Sequence, residues 1–299
     1  MAFASGDRFG DDPRWRRLTF SPALAMMLCL SVLPLANLFL VSFQDVSWVD
    51  GGAVRTGVGL ANYAALPDDT LFRAGILNTF VFAFVAVSGQ MVLGFALALL
   101  CSRIERGRIL YRAVFILPIL IPGIVIGAIW KLMLNFDFGL ANQALAVVGL
   151  APHDWLGSPA TALLSIIVVD IWHWTPFCFL LFLAGLESLP EDVLEAAKVD
   201  GARFWDELRW IILPLMLPTI LVTFAFRLVL AFKVFDEVYL LTSGGPGTAT
   251  EVISFTLYQR FFTEDRIGYG SAMSVAVIFI ISILLVMALS TRGRAGSSA

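Results

Sequence analysis

Six long apolar runs constrain this chain more than any other feature. They cover residues 19–43, 76–101, 111–134, 160–186, 215–241 and 271–290. Each reaches the roughly 20 residues that a helix needs to cross a hydrocarbon core about 30 Å thick. Runs this continuous are helices, because the strands of a membrane barrel alternate polar and apolar residues. Composition agrees: 59% of the 299 residues are hydrophobic and 14% are charged, where soluble domains carry about 25% charge. The expected fold is all-α, a polytopic membrane protein with six transmembrane helices. The first run is too long for a signal-peptide core and no small-residue cleavage site follows it, so it is expected to be retained.

Lysine and arginine set the expected orientation. Alternation of the six runs puts Arg8, Arg14, Arg16, Arg17, Arg103, Arg106, Arg108, Arg112, Lys198, Arg203, Arg209, Arg292 and Arg294 on one side. The opposite loops hold only Arg55, Arg73, Arg260 and Arg266. Thirteen against four makes the first side cytoplasmic, with both termini. The expected organisation is a cytoplasmic segment 1–18, a first helix and extracytoplasmic loop 19–75, a core 76–290 with a cytoplasmic loop 187–213, and a tail 291–299. Residues 44–75, rich in turn formers, read as an ordered loop.

Several chemistries are excluded. No G-x-x-x-x-G-K-[ST] is present, so the chain has no P-loop for nucleotide phosphates. Gly244-Gly245-Pro246-Gly247 reads as a turn at a membrane surface. His153 and His173 are the only histidines and lie in no H-E-x-x-H. Cys29, Cys101 and Cys178 form no disulfide or metal pattern. A G-x-S-x-G element, which an intramembrane hydrolase of the serine type would need, is absent.

The loop between the fourth and fifth runs is charged and helix-forming. Ser188-Leu189-Pro190-Glu191 has capping-box spacing with a proline in the first turn, which predicts a helix from Leu189. Ala196 and Ala197 continue it and Gly201 stops or bends it. A second short helix is expected over 203–212, ending before Pro214. Glu191, Glu195 and Lys198 share a face, while Val193, Ala196, Ala197 and Val199 offer small apolar surface that admits close approach of another protein. Lying flat on the membrane is the alternative role for such a helix.

Glu195-Ala196-Ala197, three residues, Gly201, nine residues, then Ile211-Ile212-Leu213-Pro214 resembles the signature loop of the permease subunits of bacterial ABC importers. The resemblance implies that Glu195, Ala196, Ala197, Asp200 and Gly201 dock a separate ATP-hydrolysing subunit. It extends from Asn78-Thr79 to the last run. Ile171-Trp172-His173-Trp174-Thr175-Pro176-Phe177 and Leu241-Thr242-Ser243-Gly244-Gly245-Pro246 are similar to the sugar branch, of maltose and glycerol-phosphate type, and to its first permease. Implied partners are a second homologous permease, a dimeric ATP-binding subunit, an extracytoplasmic sugar-binding protein and membrane lipid, with no nucleic acid. No cofactor is expected in this chain, since ATP would sit in the partner, and no catalytic residue. The implied fold is that of a type I importer permease of the bacterial inner membrane.

Substrate contacts are sought where polar groups enter the apolar runs. Asp170, Trp172 and Trp174 lie within the fourth run, where Pro176 should kink the helix; for Asp170 the alternative is a structural pair with His173 or with a group on another helix. Lys233, Asp236 and Tyr239 lie near the end of the fifth, with Asp236 and Tyr239 on one face. Two readings stay open for Lys233. In one it pairs with Asp236 or Glu237 at helical spacing; in the other the helix is broken near Asp236 and lines a sugar site. Arg227 and Lys233 leave open an anionic sugar derivative, such as glycerol phosphate or a sulfonated sugar. A non-sugar solute, and a secondary carrier without an ATPase, are more remote. Gly123-x-x-x-Gly127 permits close helix packing, and Pro118 and Pro122 bend the same helix.

Overall fold

The structure is a computed structural model that describes residues 13–49, 52–104 and 106–295. Arg8 and the last residues of the expected tail lie outside these. Five helical segments are long and apolar enough to cross a membrane: Phe20–Val41, Thr70–Ser102, Ala162–Glu187, Phe204–Ala231 and Ile267–Val286. The expected third span is a bent pair, Ile109–Leu120 and Gly123–Met133, at 92° to each other. The elements in chain order are α1 (Pro13–Val41), β1 (Gln44–Val49), β2 (Gly52–Gly57), α2 (Ala61–Ala65), α3 (Thr70–Ser102), α4 (Arg108–Ile116), α5 (Gly123–Met133) and α6 (Leu140–Val147). They continue as α7 (Ala162–Glu187), α8 (Glu191–Val199), α9 (Phe204–Glu207), α10 (Leu213–Ala231), α11 (Asp236–Leu241), α12 (Ile253–Tyr258) and α13 (Ile267–Ala295).

The described residues fall into two compact units. One holds the chain up to Leu66 together with Arg260–Ala276. Here the expected loop 44–75 contains a structure that its turn residues did not announce. Strands β1 and β2 pair antiparallel, Gln44 opposite Gly57 and Val49 opposite Gly52. Val46, Trp48, Val54 and Thr56 favour strands, and the sequence Asp50-Gly51, outside the described residues, is of a type that favours tight turns. The Asn62 amide donates to the Ser42 and Gln44 carbonyls, both at 3.0 Å, and ties α2 to the start of the hairpin.

The second unit holds Pro67–Gln259 and the chain from Val277. Asp69 Oδ1 accepts from the amides of Leu71 (2.9 Å) and Phe72 (3.2 Å), which caps α3. Helix α3 then runs along α7. The approach is close because a Cβ on Gly94 would lie 2.6 Å from Cys178 Cβ and 2.9 Å from the Phe179 amide nitrogen. Phe82, Val87, Ile166, Val169 and Leu228 form one buried cluster, and Leu99, Phe179, Phe182 and Met216 belong to a second. Helix α7 continues through Pro176 without interruption.

Two chain breaks shape this unit. The first falls at Ile121-Pro122. Pro122 lacks an N–H and drives the residue before it out of the helical region, so Ile121 is extended at φ −86, ψ 127. Helix α5 restarts at Gly123 and lies against α11. A Cβ on Gly123 would come within 2.7 Å of Asp236 Oδ2, and one on Gly127 within 2.7 Å of Leu240 Cδ1. The second break ends α10 at Ala231, ten residues short of the expected end of the fifth run. The Val234 carbonyl that the break frees accepts from Ser254 Oγ.

Three local expectations are corrected. The helix of the loop starts at Glu191 with Pro190 as its cap, and the capping box does not form. Ser188 instead ends α7, donating its hydroxyl to the Gly185 carbonyl at 2.7 Å. The expected second short helix does not stop before Pro214. The helical run is continuous from Phe204 to Ala231, through a π-helical turn at Leu208–Ile212. The wider turn lets a proline with no N–H follow without ending the helix.

Gly94→Val should drive α3 from the α7 backbone, which cannot yield as a side chain could. We expect the midpoint of thermal unfolding in detergent to fall by several degrees, while Leu93→Val, on the exposed side of α3, leaves it unchanged. An unchanged midpoint for both would contradict the packing described.

Candidate functional site

Asp170 of α7 and Arg227 of α10 meet inside the second unit, both almost fully buried. Arg227 Nη2 donates to Asp170 Oδ2 at 3.1 Å, and Arg227 Nε donates to Gln90 Oε1 at 2.7 Å. Gln90 Nε2 donates to Asp170 Oδ2 at 2.7 Å and to the Asp170 carbonyl at 3.1 Å. The guanidinium also lies over the Trp174 ring, 4.7 Å from its centroid. One closed, charge-assisted network therefore joins α3, α7 and α10. Beside it His173 Nδ1 stands 3.2 Å from Glu237 Oε1, and both side chains are buried. This second contact joins α7 to α11.

Lys233 and Asp236 are left over. Neither side chain forms an ion pair or hydrogen bond among the described residues. The helical spacing expected to pair Lys233 with Asp236 or Glu237 does not exist, because Lys233 lies in the break and α11 begins only at Asp236. Asp236 and Glu237 occupy the first turn of α11, where the helix dipole favours negative charge. A cavity of about 180 Å³ opens at the break, lined by Gly123, Asp170, His173, Trp174, Lys233, Asp236 and Glu237 among others.

Of the sequence candidates, the cavity gathers Asp170, Trp174, Lys233 and Asp236. Trp172 points elsewhere: its ring meets that of Trp130 edge to face at 5.6 Å, and it borders a separate apolar groove. Tyr239 stacks on Phe235 at 5.4 Å, within an aromatic group that includes Phe255 and Tyr258. Sequence reasoning passed over Gln90, although it is a rare amide within an apolar run, and gave Arg227 no partner.

The turn at Gly244–Gly247 is held by neighbours within this unit. Thr250 Oγ1 donates to the Gly245 carbonyl at 2.6 Å, and Asn78 Nδ2 donates to the Thr248 and Glu251 carbonyls, both at 2.9 Å. Thr79 Oγ1 accepts from the Ile253 amide at 2.9 Å. Gly244 takes φ +83, which a side chain disfavours, and a Cβ there would also meet the Phe255 ring at 2.9 Å.

At the other end of the unit, α8 closes in a Schellman motif. The Ala202 amide bonds the Ala197 carbonyl at 3.0 Å and the Gly201 amide bonds that of Lys198 at 3.1 Å, with Gly201 at φ +79. Glu195, Ala196, Val199 and Asp200 are exposed. Ala197, expected on the outward surface, is buried instead, and Leu194 is half-buried. Leu194 and Ala197 are three residues apart and so share the inward face.

Residues 90–292 match the family of the binding-protein-dependent transport system inner membrane component. The chain belongs to this family. It is 36% identical over 265 residues to the trehalose/maltose transport system permease protein MalF of Thermococcus litoralis, covering 88% of each chain. It is 33% identical to the sulfoquinovosyl glycerol transport system permease protein SmoG of Agrobacterium fabrum, covering 90% of this chain and 91% of that protein. It is 32% identical to the trehalose transport system permease protein SugA of Mycobacterium tuberculosis, covering 98% and 94%. Among solved structures, a bacterial ABC transporter involved in the import of the acidic polysaccharide alginate superposes with TM-score 0.83 at 23% identity, covering 96% and 99%. The fold is thus that of the type I ABC importer permeases, with one two-stranded hairpin among the described helices. The chain is a membrane transport subunit, and family membership sets aside the carrier that works without an ATPase.

Arg227→Met should leave Asp170 buried and unpaired, at a cost of about 3–5 kcal/mol, and lower the yield of folded protein. A triple variant, R227M with D170L and Q90M, removes all the stranded polar groups and should recover it. A single variant as stable as the parent would contradict the network's role.

Proposed function

We propose that this chain forms half of the translocation pathway of an ATP-driven importer of neutral carbohydrate, with the cavity at the α10–α11 break as its contribution to the sugar site. The observation that carries this reading is the charge balance there. Arg227 is answered by Asp170 and Gln90, and Glu237 faces His173, so the free groups are one cation, Lys233, and one anion, Asp236. A donor and an acceptor of opposite charge suit sugar hydroxyls and leave no excess positive charge for an acidic group. The relatives are named for substrates that differ in charge, so their names do not choose between neutral and anionic sugar. A cavity of about 180 Å³ is smaller than the roughly 300–1,000 Å³ of complete ligand sites. That size fits a pathway whose other wall belongs to a second, homologous permease.

The same reading makes the remaining partners a dimeric ATP-binding subunit, which would bind and hydrolyse ATP, and an extracytoplasmic sugar-binding protein. The exposed face of α8, with Glu195, Ala196 and Asp200, offers a carboxylate and small side chains to the ATPase. Gly201 ends that helix at the surface without adding a side chain there. The distribution of arginine supports a cytoplasmic α8 and cytoplasmic termini in the inner membrane, and an outer face for the turn at Gly244–Gly247.

Lys233→Gln and Asp236→Asn should each lower uptake of sugar at least about tenfold, the loss expected when a hydrogen bond to a charged group is removed, while assembly and basal ATP hydrolysis persist. Uptake equal to the parent in both variants would remove the site from the break. Orientation is checked separately by cysteine labelling: Gly247→Cys should react from outside intact cells and Arg106→Cys only in opened vesicles. The reverse pattern would invert the topology and with it the docking role of α8.

A further inference from the structure

Helix α8 is lightly attached to its own chain. Of its residues only Ala197 is buried. Behind it lies a cleft of about 720 Å³, with Glu191, Leu194 and Lys198 on one side and Leu99, Arg103 and Ile212 on the other. Apolar packing alone therefore does not set the position of α8. Two ion pairs bracket it instead. Before α8, Glu187, the last residue of α7, pairs with Arg112 of α4. After α8, Glu207 of α9 pairs with Arg103 at the end of α3, Nη2 to Oε2 3.2 Å, and the same guanidinium lies 4.6 Å from the Phe204 ring centroid. Arg103 caps the end of α3, and Arg112 lies in the second turn of α4, the next helix in the chain.

We propose that these two ion pairs act as a strut, and that Arg103 and Arg112 are positioning residues through which movement of α8 reaches the pathway. The inference rests on the reading that α8 docks the ATPase. Each arginine belongs to a helix that leads towards the cavity, Arg103 at the end of α3 and Arg112 within α4. Helix α3 carries Gln90 of the buried network. Helix α4 leads through the break at Pro122 into α5, whose Gly123 abuts Asp236. Partly exposed ion pairs add little to overall stability, so their value here is directional. They make both ends of the loop move with α3 and α4, and without them α8 could shift into the cleft behind it.

The test uses the complete complex in membranes, with Cys29, Cys101 and Cys178 replaced and Asp236→Cys as reporter. The reporter's rate of reaction with a water-soluble maleimide is compared with and without ATP–vanadate trapping. The parent should change at least about fivefold, the lower end of usual allosteric coupling. R103E and R112E should each reduce that change to less than about twofold, and the charge swaps R103E/E207R and R112E/E187R should restore it. R103Q, which cannot clash, covers the case in which R103E does not assemble, and it should also lose the change. Single variants that respond like the parent, or swaps that remain silent, would overturn the strut alone. Glu195→Ala decides the docking reading independently: a full response in that variant would overturn the docking reading, whatever the arginines do.

Discussion

The organisation of this permease depends on one buried ionic network, Arg227 with Asp170 and Gln90. A guanidinium within a membrane protein is tolerated only when its donors are met. Here a carboxylate from α7 and an amide from α3 meet it from two directions, and the Trp174 ring covers a face. Because each partner sits on a different helix, satisfying one side chain positions three helices together. The network also neutralises the charge most able to attract an anion, and so leaves the character of the neighbouring cavity to Lys233 and Asp236.

Irregular backbone supplies the rest. At the two breaks, near Pro122 and over Phe232–Phe235, the membrane helices stop and restart, and the glycines of α5 let the restarted pieces touch. Irregular backbone is admissible at membrane depth only where it is buried in protein or borders an aqueous cavity. The second break meets this condition: the Val234 carbonyl is taken by Ser254, and the polar side chains open into the cavity. On the opposite end of the same unit, α8 is stiffened by its Schellman cap but loosely packed, as suits an element that takes its place from a partner.

Five of the six expected spans were legible because run length is a global property that local detail does not disturb; the third run is a bent pair of helices. The break at Pro122 was legible for a similar reason, since proline acts on its own neighbours whatever surrounds it. The break after Ala231 contains no proline or glycine and depends on Ser254, twenty residues away, so a local reading could only raise it as one option. That break in turn cancelled the expected Lys233 pairing, which presumes an unbroken helix. Ser188 shows the same limit on a smaller scale: its hydroxyl suits the start of α8 by spacing, but the end of α7 takes it first. Gln90, Asp170 and Arg227 stood in plain view as polar residues in apolar runs, but their mutual contact required the packing of α3 on α7 and α10. The hairpin was missed because turn formers were weighed above the β-branched residues between them.

The most direct test is a structure of the assembled importer with sugar trapped in the membrane pathway. Sugar hydroxyls should lie within hydrogen-bonding distance of Lys233 and Asp236 at the α10–α11 break, with Arg227 still bound to Asp170 and Gln90. Sugar held by Arg227 itself, with that network opened, would contradict this placement.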